Sequence, residues 1–268
     1  HISVKYDDIN PNEKWRLYLY HEETVSYNNL INLSNFCVVS RGIATGANDF
    51  YCFNKTKIRE KNIPDFYFEK CICRSADVKS IIFTENDFNA LAEQDKMVYL
   101  LDIKDGLTEE IKEYIRQGEE EGVNNKYLPA SRVPWYTIEQ KKPAPIWVSS
   151  ACRDKIKFVR NLLGIKTLTT FHSVYVRKEY EEYTDLIFCY FLTPIAQTIL
   201  KENRKELGNG LEKFQPNDLN SALMLDVTLI SSEDCEKIMS IYHSLATTIT
   251  DTELNILNDI FLKYLSNC

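Results

Sequence analysis

Gly42 and Gly46 sit four residues apart in RGIATGAND (41–49), behind the β-branched approach VVS. Glycine permits close backbone approach, so such a loop suits a nucleotide phosphate, a DNA backbone or simply its own turn. A P-loop requires GxxxxGK[ST], and no lysine follows Gly46. A dinucleotide fingerprint requires GxGxxG opening a helix, and DFYCF after the loop reads as a strand. The GxG of LGNGLEK (207–213) reads as the end of a helix, hence a turn and not a pyrophosphate cradle. His21, His172 and His243 lie in no HExxH motif and beside no nucleophile motif, and Glu119, Glu120 and Glu121 read as solvent-facing charges at a helix end. No catalytic constellation assembles from these residues, so the chemistry to look for is binding.

The net charge of −7 hides a strong asymmetry. Residues 126–178 hold eleven Lys and Arg against only Glu139 and Asp154, a net of +9, which leaves −16 on the rest of the chain. Trp135, Tyr136, Trp147, Phe158, His172 and Tyr175 are interleaved with those cations. A basic block carrying aromatic side chains is the footprint of a polyanion-binding face, and the acidic remainder keeps other surfaces off the polyanion.

The elements that must carry these residues follow from periodicity and punctuation. EKWRLYLY, NFCVVS, DFYCF, KSIIF, MVYLL, APIWVSS and TLTTFHSVYV read as strands. In DKIKFVRN, Ile156 and Phe158 alternate with Lys155 and Lys157, which fits a half-exposed strand with a basic face. Thr84 is placed to cap a helix with Phe88, Leu91 and Ala92 inward; Thr108 caps another with Ile111, Tyr114 and Ile115 inward, ended by Gly118. TDLIFCYFL reads as a helix, and so does the segment with Thr193 as cap, Pro194 at the first position and Gly208 at the end. Two more helices close the chain, the second opened by a Thr250/Glu253 capping box. Strands first and helices later make the class α+β.

The 268 residues, 44% hydrophobic and 26% charged, suit one large core or two modest ones. No apolar run approaches the ~20 residues of a membrane helix. The opening HISVKYDDINPNEKW shows no signal peptide and reads as a piece cut from something longer. The eight cysteines form no CxxC or zinc-ligand spacing. Reduced, buried thiols in a cytoplasmic protein without a structural metal are expected.

Five stretches in order extend this reading: VVSRGIATGANDFYCF, YIRQGEEEGVNNKYLPASRVPWYTI, PAPIWVSSACRDKIKFVRN, TTFHSVYV and NRKELGNGLEKFQPNDL. Over roughly residues 15–226 the chain resembles the C-terminal target-recognition region of gamma-class (TaqI-type) adenine-N6 DNA methyltransferases, including fused restriction–modification enzymes. The family's catalytic marks, an NPPY-type tetrapeptide and a glycine-rich S-adenosylmethionine motif, are missing; NPNEKW (10–15) is the nearest string. The resemblance implies an α+β specificity-domain-like fold, with a β-rich part followed by helices and a C-terminal helical pair. It divides the chain into a connector from an absent catalytic domain (1–34), a target-recognition domain (35–226) and a helical segment (227–268).

It also implies roles. Arg41, Thr45 and Asn48 would meet phosphate or base edges beside the glycine loop, and SRVPWY would present Arg132, with Trp135 and Tyr136 as its anchor. Arg153, Lys155, Lys157, Arg160, Asn161, Thr169, Thr170 and His172 would supply further contacts, and Lys213 would match a lysine of the family's glycine-rich turn. The expected function is recognition of a duplex DNA site, with no catalytic residue, metal or cofactor in this piece; S-adenosylmethionine would belong to the upstream catalytic domain. A module that docks a separate catalytic chain is the alternative from another class, and a nucleotide-dependent enzyme built on RGIATGAND is a third.

Overall fold

A computed structural model of the chain describes residues 27–266 apart from 105, 202–204, 208–210 and 246. The expected strand EKWRLYLY and the NPNEKW string lie outside them. The strands are β1 (Leu30–Asn32), β2 (Cys37–Arg41), β3 (Cys52–Phe53), β4 (Phe68–Ile72), β5 (Ile82–Phe83), β6 (Tyr99–Leu101), β7 (Ile146–Ser149), β8 (Ala151–Cys152), β9 (Phe158–Asn161), β10 (Lys166–Thr167), β11 (Phe171–Val176), β12 (Lys205–Leu207), β13 (Leu211–Lys213) and β14 (Leu223–Leu225). The helices are α1 (Asn48–Tyr51), α2 (Lys55–Lys61), α3 (Glu85–Glu93), α4 (Glu109–Glu120), α5 (Tyr127–Ala130), α6 (Thr184–Leu192), α7 (Pro194–Lys201), α8 (Pro216–Asn220), α9 (Ser232–Ser244) and α10 (Asp251–Leu265).

The organising element is a five-stranded sheet of order β2-β11-β7-β9-β5, antiparallel except for the β9/β5 pair. Because side chains alternate along a strand, its two faces feed different cores. Val39, Val148, Phe158 and Val174 meet the helices α6, α7, α9 and α10 on one face. Trp147, Val159 and Phe171 meet Phe83, Phe88 and Ile72 on the other. A four-stranded sheet, β10-β4-β6-β3, packs with α1 and α4 around Phe50, Phe53, Leu100 and Tyr114.

The helix TDLIFCYFL is apolar all round, and as α6 it is buried all round from Leu186 to Phe191, its Phe191 ring stacked on Phe158 at 4.6 Å. The C-terminal pair α9 and α10 is locked by Asp234, whose carboxylate accepts from Lys263 Nζ at 2.8 Å and the Tyr264 hydroxyl at 2.6 Å. One continuous core runs from Leu33 through Val174 and Leu225 to Ile238 and Phe261. β1, from the end of the expected connector, pairs with β14.

Four expectations need correction. DFYCF begins as the helical turn α1 and becomes strand only at Cys52, because Ala47 O accepts from the amides of Phe50 and Tyr51. Gly118 does not end α4; it lies inside the helix, where a Cβ would come within 2.5 Å of Phe50 and 2.8 Å of Trp135. The helix after Pro194 ends at Lys201, and the stretch around Gly208 carries the antiparallel strands β12 and β13 instead. TLTTFHSVYV is two strands broken between Leu168 and Thr170.

DKIKFVRN becomes regular strand only at Phe158, yet the alternation upstream is real: Ile156 is buried and Lys155 exposed. Gln197 on α7 holds that stretch in place. Its Oε1 accepts from Ile156 N at 2.7 Å, and its Nε2 donates to Ile156 O at 3.0 Å and Phe191 O at 2.9 Å. Gln197→Met keeps the volume and strands these buried backbone groups. Urea unfolding should show a loss of about 3 kcal/mol; a loss under about 0.5 kcal/mol, the scatter of a surface change, contradicts this role.

Candidate nucleic-acid interface

The glycine loop is tied to the start of β11 by its own backbone. β2 delivers Arg41 opposite His172. Gly42 N then donates to Phe171 O at 3.1 Å, Ile43 N to Thr167 O at 2.9 Å, and Thr169 N to Ile43 O at 3.2 Å. A Cβ on Gly42 would lie 2.1 Å from Leu168 O and 2.8 Å from Phe171 O, so no side chain fits there. Gly46 takes φ of +76°, in the left-handed region that glycine favours, and packs on Leu128 and Pro129.

The segment 132–141 clamps the loop from the other side. Arg132 donates to Ala44 O at 2.5 Å and Thr45 O at 3.0 Å. Glu139 accepts from Ala44 N at 2.7 Å, and Lys141 Nζ donates to Arg41 O at 2.5 Å. Buried Thr45 donates to Asn48 Oδ1 at 2.5 Å. Glu139 also lies 3.8 Å from the Arg41 guanidinium, which stays 53% exposed. Glu139 entered the sequence reading only as one of two acids in a basic block; an acid isolated among cations was the available signal of an internal partner.

The third component is the end of the central sheet itself. The turn between β7 and β9 brings exposed Arg153 and Lys155 to the end of the sheet where Thr170 lies, and Ser150 Oγ donates to Thr170 O at 3.3 Å. β13 pairs with β8, placing exposed Lys213 opposite Ala151. Phe214 N donates to Ser150 O at 3.1 Å, and Phe214 O accepts from His172 Nε2 at 2.8 Å. That carbonyl can only accept, so Nε2 carries the proton. Burial pushes the His172 imidazole below its usual range, which keeps the ring neutral and Nδ1 a bare acceptor. Exposed Arg41, Asn48 and Thr169 thus flank the locked loop, and exposed Arg153 and Lys213 lie beyond Ser150 at the same end of the sheet. Exposed Lys155 lines a surface pocket with Pro194, Gln197 and Leu254 of α7 and α10.

The model of the C-terminal domain of type II methyltransferase M.Eco57I matches residues 13–259. The chain belongs to this family. It is 40% identical over 253 residues to type II methyltransferase M.AccI of Acinetobacter calcoaceticus, covering 94% of this chain and 47% of that protein. It is 22% identical over 193 residues to type II methyltransferase M.XamI of Xanthomonas campestris pv. amaranthicola, covering 70% of this chain and 35% of that one. The chain therefore spans about half or less of the length of these curated relatives. Its fold is shared with the type IIG restriction endonuclease BpuSI, with a TM-score of 0.54 at 12% identity, over 87% of this chain and 30% of that one. The α+β expectation and the methyltransferase resemblance are both met.

Within this M.Eco57I-type domain the basic block is divided, contrary to the expectation of one basic face. Lys142, Arg160 and Lys178 line a cleft at the far end of β11 from His172, with Glu181, Glu182 and Asp185 among them. Arg160 is held by Asp185 at 2.6 Å and Pro145 O at 2.9 Å, and Lys166 by Glu69. Asn161 is buried, donating to Ala144 O at 2.8 Å and Ile165 O at 3.0 Å. Tyr136 is half-buried, edge-on to Trp135. Thr45, Arg132, Lys157, Arg160, Asn161 and His172 consequently serve as internal supports in this structure, each with its polar atoms turned toward the protein. Among the described residues no group of three His, Cys, Asp or Glu is placed to hold a metal ion, and no helix is long and apolar enough to cross a membrane.

Lys157 shows the consequence most directly. Its ammonium donates to Val78 O and to Ser75 O at 3.3 Å, 5.7 Å from the Phe171 ring centre. Burial, with nearby Lys79, lowers its pKa from 10.5 to about 8. The unfolded chain therefore binds more protons than the fold between those values, and this group makes stability rise with pH from about 8 to 10.5. Urea midpoints of the wild type and Lys157→Met, taken across that window, should show the rise in the wild type relative to the variant. Parallel pH profiles contradict the assignment.

Proposed function

We propose that this chain is the DNA-reading part of an adenine-N6 DNA methyltransferase or fused restriction–modification enzyme. It recognises a short duplex site and holds the DNA while a catalytic domain elsewhere in the parent protein flips an adenine out of the stack. The observation that carries this reading is the convergence, at one end of the central sheet, of the locked glycine loop, exposed Thr169 and the cations Arg41, Arg153, Lys155 and Lys213. Membership of a type II methyltransferase domain family supports the same reading.

The division of labour follows from side-chain chemistry. Arg153, Lys155 and Lys213 are exposed point charges and suit phosphates, which give affinity without sequence preference. Asn48 and Thr169 are exposed, short hydrogen-bonding groups on a fixed backbone and suit base edges or sugars, whereas the Thr170 hydroxyl is buried and faces the protein. The internal supports act through the loop, so they set its shape and not its charge. S-adenosylmethionine belongs, on this reading, to the catalytic domain; the chain alone neither binds it nor transfers methyl, and the work is done in the cytoplasm.

Fluorescence anisotropy with a mixed-sequence duplex between about 50 and 200 mM salt tests the proposal. Binding should weaken steeply with salt, and changing Arg153, Lys155 and Lys213 to alanine should flatten the logarithmic slope by about 0.9 for each phosphate no longer neutralised. Lys157→Ala should leave the slope unchanged, since that ammonium faces the protein. No binding at low salt, or a slope indifferent to the triple change, contradicts the proposal.

A further inference from the structure

Val133 is 99% exposed and Tyr127 is 88% exposed; among the described residues no other large apolar side chain exceeds the 70% of Phe66. Both belong to one short turn, α5 and the residues after it, and nothing about that turn is loosely held. Ala130 N donates to Lys126 O at 2.8 Å, Arg132 N to Pro129 O at 2.9 Å and Ser131 Oγ to Leu128 O at 2.7 Å. Leu128 and Pro129 pack on Gly46. Downstream, Trp135 donates to Glu119 at 3.0 Å, and the Tyr51 hydroxyl donates to Trp135 O at 3.2 Å. The turn is a rigid mount from which Tyr127 and Val133 stand out beside exposed Lys126 and Ser131, while the guanidinium of Arg132 points inward to Ala44 O and Thr45 O.

We infer that Val133 and Tyr127 form a wedge that enters a DNA groove and parts a base step beside the glycine loop. The inference rests on the DNA-reading function proposed above and adds a mode of contact to it. Arg132 joins wedge and loop through a single side chain, so a duplex that reaches the loop meets the wedge. Apolar side chains inserted between base steps unstack and kink a duplex, and an aromatic ring stacks on any exposed base. Two isolated side chains suffice for that, whereas a protein partner needs a contiguous face of roughly 800 Å². Exposed Lys126 flanks Tyr127 and can meet a phosphate there, while Glu119, Glu120 and Glu121 on the neighbouring helix end disfavour phosphate contact on their side.

The test compares a mixed-sequence duplex with the same duplex carrying one central mismatch, at fixed low salt. A mismatch supplies part of the unstacking in advance, so the wild-type chain should bind it more tightly by on the order of tenfold. Val133→Ser combined with Tyr127→Ala should abolish that preference while keeping the salt slope; both sites are exposed, so the fold should survive. Val133→Ile combined with Tyr127→Phe should retain the preference. Equal wild-type binding of the two duplexes overturns the wedge and leaves the DNA-reading function standing, and so does a preference that survives in the Ser/Ala variant. Failure to bind either duplex overturns both.

Discussion

The structure depends on the contact between Gly42 and the strand turn 168–171. An added Cβ would be 2.1 Å from Leu168 O. The absence of a side chain lets two strand systems meet backbone to backbone, with the Ile43–Leu168 bridge as the seam. Through β2 and β11 the seam belongs to the five-stranded sheet, and through β10 to the four-stranded sheet. Arg41, Asn48 and Thr169 are placed by these two sheets and the clamp onto the seam, and Lys213 and Arg153 by the small β12-β13-β8 sheet beside it. A loop held in this way is fixed before any ligand arrives, which lowers the ordering entropy lost on binding.

Electrostatics follows the same division. A cation on the surface is mobile and screened, whereas a cation bonded to a carbonyl in a half-buried site is a structural strut. Arg132, Lys141 and Lys157 each donate to backbone carbonyls, and Arg160 and Lys166 pair with carboxylates. Part of the basic block therefore builds the frame, and a smaller part is left at its edge. Sequence charge counting cannot separate these roles, because it weighs every lysine alike.

What was legible in the sequence was what local chemistry determines. Thr108 and Thr250 accept from amides three residues on, and Thr84 forms a capping box with Asp87, so the starts of α3, α4 and α10 could be read directly. The buried alternation of Ile156 and Phe158 was legible for the same reason. Gly118 and the β12–β13 pair were not: a glycine that avoids Phe50 and Trp135 looks like a glycine that ends a helix until the tertiary neighbours are known. The partners of Arg132 lie 87 and 88 residues away in sequence, and nothing near SRVPWY announces them. In the candidate site, which side chains face outward was decided by long-range packing that no local motif shows.

Amide hydrogen exchange of the chain with and without duplex DNA bears most directly on the claim that one end of the central sheet is the binding face. The account predicts slowed exchange on DNA addition at residues 41–48, 150–155, 169–170 and 213, with α9 and α10 unchanged. Slowing confined to α9 and α10, with the glycine loop unaffected, would contradict it.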